Sequence, residues 1–90
     1  MVLLITYDLH EPERDYEDVI AKIKSFGSRA HVEESVWLVD TALTAQQCRD
    51  ALNAVTSKAT YFAVRLAHSW ASQNVAESVT NWLKSSERTW

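Results

Sequence analysis

Hydrophobic positions along this chain fall into runs whose period changes from element to element. Val2-Leu3-Leu4-Ile5-Thr6-Tyr7 is unbroken, rich in β-branched and aromatic residues, and too short for a helix. It predicts a central strand buried on both faces and ending at Asp8. Beyond a polar stretch around Pro12, the residues Tyr16, Val19, Ile20, Ile23 and Phe26 recur at helical spacing up to Gly27. Asp15 is placed to cap that helix, and the only glycine of the chain is placed to stop it. Arg29 to Glu33 and Ser35 to Asp40 are extended stretches, and the Glu33-Glu34-Ser35 step between them fits either a tight hairpin or a bulge. Thr44 with Gln47 has the form of a capping box ahead of the stripe Cys48, Ala51, Leu52 and Val55, so a second helix runs to about Thr56. Thr60 to Leu66 predicts the last strand. Val75, Val79, Trp82 and Leu83 then mark one side of a third helix from about Asn74 to Ser85.

The order strand, helix, strand, strand, helix, strand predicts an α+β domain of the ferredoxin-like βαββαβ kind. Its antiparallel sheet carries two helices on one face, with the third helix added at the C-terminal side. Ninety residues supply one core, so 1–90 reads as a single domain, without repeats, low-complexity tracts or linkers. Two helices cover only one face of a four-stranded sheet. The third helix either lies across the other face or reaches to a second subunit. A content of 47% hydrophobic residues with four tryptophans in so small a chain points to apolar surface buried against a partner, and the expectation is a homodimer.

Charge narrows the partners. Nine Lys and Arg stand against twelve Asp and Glu, a formal net charge of -3, which is the wrong sign for a surface that lives on phosphates. Asp8, Glu11, Glu13, Asp15, Glu17 and Asp18 are offset locally by Arg14 alone, so this end of the molecule repels polyanions unless a metal intervenes. Glu17, Asp18, Lys22 and Lys24 read as the solvated face of the first helix. The lone Cys48 excludes an internal disulfide and reads as a small buried side chain, which points to a reducing compartment. The apolar run at Val2 is too short for a signal or membrane segment and lacks a basic flank, so the expectation is a cytoplasmic protein with no membrane partner.

The usual enzyme signatures do not occur: one glycine excludes every Gly-rich phosphate cradle, and one cysteine excludes a thiolate zinc site. The remaining candidate is Asp8, at the mouth of a buried strand. A carboxylate there suits Mg²⁺ or Mn²⁺, ions that commonly take one or two protein carboxylates and several waters. If a dimer axis brings two copies of Asp8 together, one ion bridging them could activate water for attack on a phosphodiester. In the plainer reading Asp8 ends its strand and accepts backbone hydrogen bonds in the turn. His10 and His68 are of the residue type that serves as acid or base, yet no spacing ties them to each other or to a nucleophile. His31 alternates with Arg29 and Glu33 on the polar face of an edge strand. Trp37 and Trp82 read as core or interface, and Trp70 and Trp90 as packing or dimer contacts.

Leu4-Ile5-Thr6-Tyr7-Asp8-Leu9 and His31-Val32-Glu33-Glu34-Ser35-Val36-Trp37, in this order and separation, resemble the CRISPR-associated "Cas two" family and its VapD-like relatives. The resemblance spans Val2 to Leu66. It implies a ferredoxin-like homodimer in which Tyr7-Asp8 closes the first strand. It also implies that Asp8 is the metal ligand and catalytic residue of an endonuclease acting on RNA or DNA. Ser35-Val36-Trp37 stands where that family carries Ser-Val-Phe. Glu33 and Glu34 replace the basic or amide residues common before that motif, and the stretch Asp15 to Gly27 followed by Ser35-Val36-Trp37-Leu38-Val39-Asp40 looks closest to a stand-alone Cas-two-like branch. Two functions follow: a homodimeric, metal-dependent phosphodiesterase centred on Asp8, or a non-catalytic module that docks a protein partner in a phage-defence or toxin-related system. A third, a small-ligand sensor with a pocket at the dimer seam, has no residue to single it out.

Overall fold

β-Branched and aromatic side chains build the first strand, β1 (Val2–Leu9), at the centre of the molecule, with Val2, Leu3 and Ile5 fully buried. The structure, a computed structural model, describes residues 1–9 and 16–90. After β1 come α1 (Tyr16–Lys24), β2 (Ser28–Glu33), β3 (Val36–Asp40), α2 (Ala45–Val55), β4 (Ala59–Arg65) and α3 (Glu77–Lys84). The result is a mixed α+β fold with three helices and a four-stranded sheet of order β2-β3-β1-β4, every neighbouring pair antiparallel. His10, the stretch around Pro12 and the proposed Asp15 cap lie outside the described residues.

The two faces of the sheet carry unequal cores. On one face Leu3, Ile5 and Tyr7 of β1 meet Trp37 and Val39 of β3, Val19 and Ile23 of α1, and Cys48 and Leu52 of α2. Two helices thus share one side, as their apolar stripes dictate. On the other face Ala30 of β2 and Leu38 of β3 pack against Val79 and Leu83 of α3, which therefore closes over its own sheet. Period-2 alternation assigns the faces: Leu3, Ile5 and Tyr7 look one way and Leu4, Thr6 and Asp8 the other.

The local signals are legible in detail. Thr44 caps α2 through a full capping box, its Oγ1 accepting from the Gln47 amide at 3.1 Å while Gln47 Oε1 accepts from the Thr44 amide at 2.9 Å. Gly27 follows α1 at φ 153°, and a Cβ there would collide with the Asp40 carbonyl oxygen, so the glycine is required by both conformation and space. Between β2 and β3 the hairpin and the bulge coexist: a turn at Glu34-Ser35 joins the strands, and the register slips between His31 and Glu33.

Boundaries of β2, β3 and β4 move by one residue from the sequence expectation, and two others differ for a physical reason. β1 continues through Asp8 to Leu9, because β4 offers partners to the end, pairing Asp8 with Thr60 and Leu9 with Ala59. α3 begins at Glu77 instead of about Asn74, because Asn74 takes the left-handed conformation (φ 61°) and stops helical propagation there. Among the described residues no helix is long and apolar enough to cross a membrane.

Candidate functional site

Asp8 is held by the sheet itself. Its register with Thr60 on β4 fixes its backbone, and its side chain is exposed on the face opposite α1 and α2. Tyr7, one residue earlier, points into the first core; its amide donates to the Ser35 carbonyl at 3.2 Å and its hydroxyl to the Glu34 carbonyl at 3.2 Å. Burial pushes the Tyr7 phenol up to about 12, so its hydroxyl stays a donor throughout the physiological range. These bonds pin the Glu34-Ser35 turn to the end of β1, so Asp8 shares its end of the sheet with the exposed Glu33 and Glu34.

Asp8 supplies one exposed carboxylate, which fits the one or two that Mg²⁺ usually takes from protein. Among the described residues no three His, Cys, Asp or Glu side chains converge to hold a metal. His68 is remote: it follows the far end of β4, where Arg65 pairs with Leu3, and Thr60 to Arg65 spans about 17 Å of strand. The His68 ring leans on Trp90, with centroids 4.8 Å apart. The sheet therefore does not bring His68 to Asp8, and His10 lies outside the described residues.

His31 is exposed on β2 and stacks flat on its cross-strand partner Trp37, with ring centroids 4.0 Å apart and planes 6° from parallel. Its Nε2 lies 3.3 Å from the Glu34 carbonyl. Trp37 is buried, with the Lys24 amine 6.0 Å from its ring centroid. Cys48 is buried in the first core, and burial pushes its thiol up, away from nucleophilic chemistry.

Sequence reading missed the most exposed large apolar side chains. Phe62 is 64% exposed and Val64 38% exposed, both on β4. Phe62 is paired with Thr6 and Val64 with Leu4, which puts them on the face that α3 covers only over β2 and β3. Asp8 lies on this same bare half of the sheet. The unbroken apolar run Tyr61-Phe62-Ala63-Val64 in a strand at the sheet edge was the available signal, since an edge strand with one covered face should alternate. Comparison of the chain with protein-family models and with curated proteins finds no match to either.

Proposed function

We propose that this chain is a ferredoxin-like interaction module that acts as a symmetric homodimer, two copies meeting through the bare β1 and β4 half of the sheet. The observation that carries this reading is Phe62, a large aromatic side chain 64% exposed beside Val64, on a face it shares with Leu4, Thr6 and Asp8 of β1. Burying such a side chain contributes roughly 1.5–3 kcal/mol, and in a two-fold contact each copy contributes it once. The strand order β2-β3-β1-β4, with α1 and α2 on one face, supports the ferredoxin-like assignment. The placing of Tyr7-Asp8 and Ser35-Val36-Trp37 on β1 and at the start of β3 accords with the Cas-two-like resemblance and with its dimeric habit.

One observation favours a second reading, the Mg²⁺- or Mn²⁺-dependent endonuclease. Asp8 is exposed on the same bare half, so a dimer formed there brings two carboxylates to one seam, where a divalent cation would relieve their repulsion. The acidic balance of the chain argues for the interaction module and a protein partner over a nucleic-acid one.

Sedimentation equilibrium at micromolar concentration tests the dimer. Wild type is expected at twice the chain mass and Phe62→Ser at the chain mass; a wild-type monomer sinks the proposal. Asp8→Asn separates the two functions. If wild type cleaves RNA or DNA at low salt with Mg²⁺ and Asp8→Asn does not, the endonuclease reading replaces the interaction module.

A further inference from the structure

We infer that the cleft between α3, the connection over residues 66–76 and the second face of the sheet binds an uncharged, largely apolar small molecule carrying an aromatic ring. The cleft adjoins the proposed dimer face at Leu4, the cross-strand partner of Val64, and the test separates the two. The cleft encloses about 470 Å³, within the range of roughly 300–1,000 Å³ typical of small-molecule sites. Its floor is made by Leu38, Val79 and Leu83, the buried residues of the second core. That core has four buried residues against ten in the first, so the space lies between a thin core and the connecting segment. For scale, an aliphatic cavity of about 150 Å³ already takes benzene in preference to water.

The lining selects the ligand. Among the described residues no ionisable side chain faces the cleft, and its polar side chains are serines and a glutamine, Ser72 among them, exposed on the connecting segment. A carboxylate, phosphate or ammonium drawn down to the apolar floor would lose hydration there without a counter-charge, a cost that favours uncharged ligands. Trp70 lines the cleft, half-buried, and is the aromatic side chain there against which a flat ring can pack. The opposite support is Val75, turned against the second core by the left-handed backbone of Asn74. Asparagine is among the few residues that adopt that conformation readily.

The test uses N-phenyl-1-naphthylamine, an uncharged fluorophore, titrated into the full chain. Saturable enhancement at one site per chain is expected, with at least tenfold weaker binding of the anionic anilinonaphthalene sulfonate. Ser72→Trp, which plugs the mouth from an exposed position, and Val32→Phe, which fills the cleft from β2, should each lower affinity at least tenfold. Circular dichroism confirms that each variant is folded, and Ser72→Trp alone carries the test if Val32→Phe is not. Phe62→Ser should leave the affinity unchanged. The inference falls if enhancement does not saturate, if the sulfonate binds as well, or if Ser72→Trp retains full affinity. It also falls if Phe62→Ser loses binding, which places the probe on the bare half of the sheet. Tighter binding by Phe62→Ser overturns it too, since a second copy's Phe62 would then be the occupant.

Discussion

Single residues at opposite ends of β1 hold the sheet to its surroundings, and each gives the fold a different sensitivity to pH. Tyr7 is the clearer case. Burial raises its phenol to about 12 from 10.0, so the folded state favours the neutral form. That contribution is complete below pH 10 and is lost as the pH rises from 10 towards 12. Tyr7→Phe removes the hydroxyl that donates to the Glu34 carbonyl. A cost of about 1 kcal/mol at neutral pH is expected in urea melts, together with a shallower loss of stability between pH 10 and 12. Asp40 behaves in the opposite sense. Burial alone would raise its carboxyl, but the side-chain and backbone hydrogen bonds from Thr89, together with the Met1 ammonium 3.5 Å away, outweigh burial and hold it below the usual 3.8. The Arg88 guanidinium stands 3.7 Å away. Its contribution is therefore present above pH 3.8 and is lost as the pH falls through the lowered value. Asp40→Asn should lower the melting temperature at pH 7 and flatten the acid limb below about pH 4; an unchanged acid limb would locate the acid sensitivity elsewhere.

At the scale of elements, the residues that read true were those whose local chemistry and tertiary setting agree. Val2 to Tyr7 reads as a central strand and is one, buried at Leu3, Ile5 and Tyr7 and half-buried at Leu4 and Thr6 on its other face; Thr44 and Gln47 spell a capping box and form one. What the sequence left open was settled by partners it does not print. Asp8 read as the end of a strand, yet β4 extends the ladder past it to Leu9. Asn74 read as the start of a helix, yet its φ of 61° delays α3 to Glu77. The stripe of α3 held, but with unequal weights. Val79 and Leu83 are buried, while Trp82 lies half-buried, its Nε1 donating to Ser28 Oγ at 2.9 Å and its ring under the Arg88 guanidinium at 4.2 Å. Leu83→Ala should therefore cost about 2–5 kcal/mol, as for a buried leucine. Trp82→Ala should cost less, about 1–2 kcal/mol, from one hydrogen bond and one cation–π contact. Equal losses in denaturant melts would mean that the indole, and not the Val79–Leu83 side, anchors α3. The candidate site was legible only as a position. The exposure of Asp8 follows from its polarity, but its sharing of a face with Phe62 needs the register of β1 against β4.

For the whole molecule, the decisive property is the inequality of the two sheet edges. β2 ends the sheet with exposed Arg29, His31 and Glu33 and a register slip, the features that keep an edge strand from pairing with another chain. β4 ends it with Phe62 and Val64. In the proposed two-fold contact a chain has a valence of one: its Phe62 and Val64 face is spent on its partner and its guarded β2 edge invites no further copy, so growth halts at a pair instead of running on into a ribbon. Making β2 inviting as well, with Arg29→Val and Glu33→Val together, should raise the valence to two. Light scattering at tens of micromolar would then rise with time, whereas the single change Phe62→Ser in that background should return the chain to small, finite species.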